Sequence, residues 1–166
     1  MKIGIDIDDT LLSTTESFEM IKAKYNVNFN KKLKDNWTEE ESKFIYNNYL
    51  EETLKNAKLK EGAKEVIHHL NELGYTLFII TARSNRHCKG IEEFTKDFFE
   101  KENMKIKEFY FDEVKKSDLA KRLNLDLMID DNIYVHDNMQ QDCVNCILFG
   151  DKIKNWEEVL DYIKRK

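Results

Sequence analysis

The sequence predicts an α/β fold, a Rossmann-like parallel sheet of about five strands that is covered by helices. Short apolar runs that suit buried strands alternate along the chain with amphipathic stretches that suit helices. This alternation is typical of parallel sheets. Polar residues stand where several of the apolar runs end. Because such folds bind ligands outside the carboxyl ends of their strands, these polar residues are also the candidate site residues.

Five apolar runs are the candidate strands. In the first run three isoleucines alternate with other residues, which is the two-residue period of a strand. The second run, YTLFII, is apolar throughout and suits a strand that is buried on both faces. The predicted strands span residues 2–7, 75–80, 106–111, 125–129 and 144–149.

Helical patterns separate these strands. Gly74 stands where the first of them stops, and glycine is favoured just past the end of a helix. Asn155 is a suitable N-cap for the last helix. The predicted helices cover residues 61–74, 86–102, 116–123, 133–140 and 155–166. We therefore expect helices on both faces of the sheet.

Residues 14–59 interrupt the alternation of strand and helix. They contain two helical patterns, at 15–25 and 39–54, joined by a polar stretch. The segment follows the first strand, so it would rise above the carboxyl edge of the sheet. We interpret residues 14–59 as a helical cap that is inserted into an α/β core formed by residues 1–13 and 60–166.

The composition favours a soluble cytoplasmic protein. The 166 residues contain no apolar run long enough for a membrane-spanning helix. Three aspartates interrupt the apolar stretch near the start of the chain, so we expect no signal peptide. The formal net charge of −5 disfavours a binder of long nucleic acids, which usually has a basic face. The sequence is silent on the oligomeric state.

Cys88, Cys143 and Cys146 are expected to be ordinary thiols. An odd number of cysteines, without a signal peptide, argues against a disulfide framework. Cys143 and Cys146 form a CxxC motif, for which zinc or redox chemistry is the alternative interpretation. There is no second pair in the sequence to complete a four-thiolate zinc site.

Carboxylates gather where the first and fourth predicted strands end. Asp6, Asp8 and Asp9 stand in the stretch DIDDT, and Asp130 and Asp131 follow the fourth strand. Neighbouring carboxylates repel one another, so such a cluster needs a compensating cation. Hard oxygen ligands suit Mg²⁺, which often shares its ligand shell with phosphate and water. The sequence therefore predicts a Mg²⁺ site that also attracts an anion.

These residue types suit phosphoryl transfer. A carboxylate beside Mg²⁺ is able to attack phosphorus and form an aspartyl phosphate. A second carboxylate two residues further on is placed to give a proton to the leaving oxygen and to take one from water. The hydroxyl of Thr81 offers a hydrogen bond to a phosphate oxygen, and Lys115 or Lys116 offers a positive charge.

Four motifs together resemble those of the haloacid-dehalogenase-like (HAD) phosphohydrolase superfamily. They are DIDDT, then ITAR, then the lysine that opens KKSDLAKRL, then LMIDDN, and their order also matches. The resemblance covers residues 1–13 and 62–149. One departure is Asp9, where many members carry glycine. Because aspartate tolerates a tight turn, we interpret Asp9 as a turn and helix-cap residue.

The resemblance implies roles for four of the carboxylates. Asp6 would be the nucleophile and a Mg²⁺ ligand. Asp8 would be the general acid and base, with its backbone carbonyl also on the metal. Asp130 would bind the metal directly, and Asp131 would bind it through water. For Asp131, the alternative interpretation is an N-cap of the helix that follows.

The resemblance also implies a phosphate-binding set, namely Thr81, Ala82, Arg83 and Lys116. Thr81 would bind the transferring phosphoryl group, and Lys116 would neutralise charge on the nucleophile and the phosphate. Lys116 fits the spacing of the family better than Lys115. For Arg83, a surface salt bridge is the alternative.

The implied activity is hydrolysis of a phosphomonoester. Superfamily members with a carboxylate at the position of Asp8 are mostly phosphatases and phosphotransferases. The placement of the helical segment resembles the C1 type of cap, and the overall layout resembles small bacterial 5′-nucleotidases and 5′(3′)-deoxyribonucleotidases. The predicted partner is therefore a small phosphorylated substrate, with a nucleoside monophosphate favoured.

Several alternatives stay open at this stage. One alternative substrate is a sugar phosphate or another small metabolite. A different alternative is that the protein is a non-catalytic or phosphorylation-controlled Mg²⁺-binding module of the receiver type. Trp37 is the favoured residue for stacking on a base, whereas core packing is favoured for Phe44, Tyr46 and Tyr49. The four histidines have no partners at metal-ligand spacing and are interpreted as structural or surface residues.

Overall fold

A five-stranded parallel sheet lies at the centre of the computed structural model, which describes residues 1–27 and 38–166. The predicted fold class is confirmed. The strand order is β3-β2-β1-β4-β5, and every neighbouring pair is parallel. The strands are β1 (Lys2–Ile5), β2 (Thr76–Ile80), β3 (Glu108–Tyr110), β4 (Leu127–Asp130) and β5 (Cys146–Leu148).

Eight helices accompany the sheet in the described part of the chain. They are α1 (Thr14–Lys24), α2 (Glu39–Asn48), α3 (Leu50–Asn56), α4 (Ala63–Glu72), α5 (Ile91–Lys101), α6 (Lys116–Leu123), α7 (Ile133–Gln141) and α8 (Trp156–Lys164). The predicted N-cap of the last helix is confirmed, because the Asn155 side chain accepts a hydrogen bond from the backbone N–H of Glu158 at 2.9 Å.

The structure corrects three predicted boundaries. The first strand ends at Ile5 rather than at residue 7. The helix predicted at 39–54 is two helices, because the backbone leaves helical geometry at Tyr49, with φ −133° and ψ −17°. The helix predicted from residue 86 begins at Ile91, directly after Gly90, which has a left-handed backbone with φ 79°.

The strand order decides one of the open alternatives. β1 lies between β2 and β4, so the order reverses at the first strand. In flavodoxin-like sheets, the class to which receiver modules belong, the order is 2-1-3-4-5 and the third strand lies beside the first. A receiver module is therefore excluded as the fold of this chain. The crevice at the switch point lies between the carboxyl ends of β1 and β4.

Two apolar layers cover the sheet. One layer contains Ile3 and Ile5 of β1 and is closed by buried side chains of α4, α5 and α8, including the fully buried Trp156. The other layer lies against α6 and α7. Gly4 faces this second layer, and a Cβ there would lie 2.7 Å from Leu125 Cδ1, so the close packing requires glycine.

The chain enters and leaves the segment α1–α3 at one place. Leu12 and Leu59 form an antiparallel bridge. Ser13 N–H donates to the Lys58 carbonyl at 2.8 Å, and Lys60 N–H donates to the Leu11 carbonyl at 2.8 Å. The predicted division into a core and a helical cap has its boundaries beside this bridge and stays a prediction.

Buried apolar contacts hold α3 against the start of α5. Leu50 and Leu54 of α3 form a small cluster with Cys88 and Ile91. This contact places the helical segment beside the loop that follows β2. Across the described ranges, none of the helices combines the length and apolar character needed to span a membrane.

Candidate active site

Asp6, Lys116 and Asp130 meet at the switch point of the sheet. Asp6 directly follows β1 and Asp130 ends β4, and the Asp6 N–H donates to the Ile129 carbonyl at 3.0 Å. Lys116, the first residue of α6, donates from Nζ to Asp6 Oδ1 at 2.5 Å and to Asp130 Oδ2 at 2.7 Å. All three side chains are buried. One ammonium group is therefore shared by two carboxylates from neighbouring strands.

Asp131 completes a cluster of three carboxylates. Asp6, Asp130 and Asp131 each offer an oxygen, and these oxygens lie within 4.8 Å of one another. Asp131 Oδ1 accepts a hydrogen bond from Thr10 Oγ1 at 3.4 Å. The N-cap of α7 is Asn132, whose side chain accepts from the Tyr134 N–H, so the interpretation of Asp131 as that N-cap is wrong.

The charges of this cluster fit a divalent cation. Three carboxylates face one ammonium, which leaves an excess of negative charge in a largely buried place. Burial raises the pKa of Asp6 to about 7, although Lys116 acts against this rise. Burial would lower the pKa of Lys116, but Asp6 and Asp130 outweigh it and hold that pKa above its usual range. Carboxylate oxygens at this spacing are the donors that Mg²⁺ prefers.

Asp8 lies beside this cluster but pairs with another cation. The Arg83 guanidinium contacts Asp8 through Nη2 at 2.7 Å and through Nε at 3.0 Å. Thr14 Oγ1 donates to Asp8 Oδ1 at 2.6 Å. Burial would raise the pKa of Asp8, but Arg83 and Thr14 hold it below its ordinary value. Arg83 is itself buried and donates from Nη1 to Thr95 Oγ1 at 3.3 Å, so its ion pair is not on the surface.

The other predicted phosphate-binding residues lie where β2 ends. Thr81 follows the last residue of β2 and is fully buried, and its hydroxyl oxygen accepts the Arg83 N–H at 3.2 Å. Ala82 is exposed and lines the crevice together with Asp6 and Asp8. Lys115 is exposed, in contrast to the buried Lys116.

Two cavities meet at Asp8 and Ala82, which line both of them. The larger, of about 730 Å³, contains the carboxylate cluster and Lys116. The smaller, of about 290 Å³, lies between α2, α3 and the loop after β2 and is mainly apolar. At its edge the rings of Tyr46 and His87 meet with centroids 5.8 Å apart. A group bound at the carboxylates thus has an adjoining space next to the helical segment.

Sequence reasoning missed several contacts of the site. Thr14 and Thr95 support Asp8 and Arg83, yet they lie on helices that carry no motif. Tyr46, interpreted as a packing residue, is 48% exposed and lines the smaller cavity. Trp37, the predicted stacking residue, lies outside the described residues.

Comparison with known proteins identifies the family. The family model for haloacid dehalogenase-like hydrolases matches residues 9–105. The chain belongs to this family. The matched region includes ITAR but stops short of Asp6 and Asp8 on one side and of Lys116 and Asp130 on the other. The structure, rather than the family match, brings these four residues together.

The chain is also similar to a curated protein and to several solved structures. "Putative nucleotidase OB0422" of Oceanobacillus iheyensis is 28% identical over 158 residues, which cover 84% of this chain and 81% of the relative. A HAD-superfamily hydrolase from Ehrlichia chaffeensis has a TM-score of 0.58 at 16% identity, with 99% of this chain and 96% of that chain covered. A predicted phosphatase from Clostridium acetobutylicum has a TM-score of 0.60 at 17% identity, with 96% and 89% covered. The structural similarities support the HAD fold.

Proposed function

We propose that this HAD-family hydrolase is a Mg²⁺-dependent phosphomonoester hydrolase that acts through an aspartyl phosphate on Asp6. The observation that carries the proposal is the placement of Asp6. Its carboxylate lies at the switch point of the sheet, contacts Lys116 and belongs to the same cluster as Asp130 and Asp131. Phosphoryl transfer depends on this kind of positioning and charge neutralisation.

The donor set of the cluster suits a Mg²⁺ ion. Asp6, Asp130 and Asp131 would hold it with their carboxylates, and Asp8 would add its backbone carbonyl. Bound Mg²⁺ would neutralise charge on the carboxylates and on the phosphoryl oxygens, which lets two anions approach each other.

The chemistry on the chain's own residues has two steps. In the first, an oxygen of Asp6 attacks phosphorus, the bond from phosphorus to the leaving oxygen breaks, and the protonated form of Asp8, which is the minor form at neutral pH, gives that oxygen its proton. In the second, Asp8 takes a proton from water, the water oxygen attacks phosphorus, and the bond between Asp6 and phosphorus breaks. Phosphate leaves, and both carboxyl groups return to their starting state.

The residues around the nucleophile would hold the phosphoryl group. Lys116 would offset charge on Asp6 and on the phosphoryl oxygens. The Thr81 hydroxyl accepts the Arg83 N–H, so its own hydrogen remains available for a phosphoryl oxygen. Ala82 is exposed in the crevice, where its backbone would complete the binding site.

We infer that the substrate is a nucleoside monophosphate. The name of the curated relative supports this choice. The mainly apolar cavity of about 290 Å³ beside Asp8, with the Tyr46 ring at its edge, suits a leaving group with a planar ring. Residues 14–59 would act as a C1-type cap that excludes water from this space.

The proposal is tested by phosphate release from a panel of phosphomonoesters, with Mg²⁺ and with EDTA. The panel contains ribo- and deoxyribonucleoside monophosphates, sugar phosphates and phosphoserine. We expect Mg²⁺-dependent release from the nucleotides. Release from sugar phosphates alone would keep the mechanism and replace the substrate. The absence of release from every compound would favour a non-catalytic Mg²⁺-binding protein.

A further inference from the structure

The Arg83 guanidinium already pairs with the Asp8 carboxylate inside the protein. We propose that Arg83 is a positioning residue, which holds the carboxyl group of Asp8 in the orientation for proton transfer and does not bind the phosphoryl group. The inference rests on the proposed function, because it assigns a task within that reaction.

The contacts of Asp8 fix both the place and the rotation of its carboxyl group. Arg83 contacts both oxygens, with Nη2 on Oδ1 at 2.7 Å and Nε on Oδ2 at 3.0 Å. Thr14 Oγ1 adds a third hydrogen bond, to Oδ1 at 2.6 Å. A planar guanidinium that contacts two oxygens holds the plane of a carboxylate, which a single ammonium group does not.

Asp8 and Arg83 differ in how far their side chains are exposed to the crevice. The Arg83 side chain is 2% exposed, whereas the Asp8 side chain is 30% exposed. Asp8 lines both cavities, whereas Arg83 lines only the smaller one, so a phosphoryl group at the carboxylate cluster meets Asp8 and not the guanidinium. Thr95 of α5 accepts a hydrogen bond from Nη1 at 3.3 Å, which directs the remaining end of the guanidinium away from Asp8.

If Arg83 positions Asp8, its loss should affect the kinetics differently than if Arg83 bound the phosphoryl group. Asp8 protonates the leaving oxygen, and an alkoxide leaves poorly without that proton, whereas 4-nitrophenolate leaves readily without it. Loss of the Arg83 side chain should therefore slow the transfer from an alkyl phosphate more than the transfer from 4-nitrophenyl phosphate. A residue that binds the phosphoryl group would affect both substrates equally, because they share that group.

The test compares kcat/KM of wild type and Arg83→Ala on 4-nitrophenyl phosphate and on an alkyl phosphate that the wild type hydrolyses. We expect a loss on the order of 100-fold with the alkyl phosphate, near the lower end for general acid catalysis. With 4-nitrophenyl phosphate we expect a loss of less than about tenfold, because that reaction draws less on the general acid. Asp8→Asn should show the same dependence on the leaving group. Equal losses of Arg83→Ala on the two substrates would overturn the inference.

Two further variants keep the test valid if Arg83→Ala fails to fold. Arg83→Lys keeps a positive charge but loses the two-point contact, so it should show the same dependence on the leaving group. Thr95→Val removes the acceptor for Nη1 and should show a weaker dependence on the leaving group. Thr95→Ser, which keeps the hydroxyl acceptor, is the matched control. Equal losses on the two substrates in these variants would also contradict the inference. A wild type that releases phosphate from no member of the phosphomonoester panel would instead overturn the proposed function itself.

Discussion

Lys116 and Asp130 form a buried ion pair that joins the start of α6 to the end of β4, with Nζ and Oδ2 2.7 Å apart. The same Nζ contacts Asp6, which follows the neighbouring strand β1. Three elements of the fold therefore meet at one ammonium group. Its removal would leave two buried carboxylates facing each other, so this contact links the stability of the fold to the site.

Lys116→Met should destabilise the protein strongly in EDTA. Removing one partner of a buried ion pair leaves uncompensated charge and costs roughly 3–5 kcal/mol. The free energy of unfolding, measured by urea denaturation, gives this cost. Added Mg²⁺ should reduce the loss, since a cation would then separate Asp6 from Asp130.

Lys115→Met is the matched control, because the neighbouring Lys115 is exposed. Its unfolding free energy should stay within about 0.5 kcal/mol of the wild type. A large loss in Lys115→Met, or a negligible one in Lys116→Met, would refute the assignment of Lys116 as the lysine of the site.

Mg²⁺ should stabilise the folded protein against heat. The carboxylate cluster of Asp6, Asp130 and Asp131 exists only when the sheet is formed, so a bound cation favours the folded state. At 100 times its Kd the ion would contribute about 2.7 kcal/mol, which corresponds to roughly 5–10 °C in Tm for a chain of this size. Differential scanning fluorimetry across a Mg²⁺ titration measures the shift.

Asp130→Asn should abolish most of this Mg²⁺-dependent shift. Asp137→Asn, which removes a carboxylate that is 58% exposed on α7, should leave the shift unchanged. If both variants respond to Mg²⁺ as the wild type does, the cation binds elsewhere on the protein.

Asp9 should matter for the stability of the turn after β1. It has a left-handed backbone with φ 61°, and its carboxylate accepts the Thr15 N–H at 2.8 Å at the start of α1. Asp9→Ala loses the cap and keeps the strained backbone, so it should cost about 1–3 kcal/mol. Asp9→Asn keeps an acceptor and tolerates positive φ, so its cost in urea denaturation should be clearly smaller. Equal costs would contradict this role.

Cys143 should be the thiol that alkylates first in the folded protein. It is exposed, whereas Cys88 is buried and Cys146 is partly buried, and all three are free of disulfides in the structure. Burial raises the pKa of Cys146 to about 12, so its reactive thiolate is scarce at pH 7.5. Mass spectrometry after brief iodoacetamide treatment should show one adduct under native conditions and three in denaturant. Equal labelling of Cys143 and Cys146 in the native state would contradict this ordering.

The positions of Asp6 and Asp130 were predictable from the sequence because the signal is local. Asp6 lies near the end of the first apolar run and Asp130 directly follows the fourth, and strands of one parallel sheet bring their carboxyl ends to the same edge. α6 begins at Lys116 and buries its side chain, whereas Lys115 is exposed, and the choice of Lys116 over Lys115 as the lysine of the site stays a prediction.

Other features depend on contacts between distant residues, which no local pattern encodes. The pairing of Arg83 with Asp8 spans 75 residues, and the support from Thr95 comes from another helix. The helical pattern of apolar residues continues through Tyr49, so the sequence does not predict the break there. The sequence predicts a start of α5 at residue 86, which is too early, although Gly90 is a residue that favours such a boundary.

The central claim, that Asp6 is the nucleophile, is tested most directly with Asp6→Asn. The variant keeps the size of the side chain and removes the attacking carboxylate. We predict that wild type releases phosphate from a nucleoside monophosphate with Mg²⁺, and that Asp6→Asn releases less than about a thousandth as much while circular dichroism shows an unchanged fold. Substantial phosphate release by a folded Asp6→Asn protein would contradict the account.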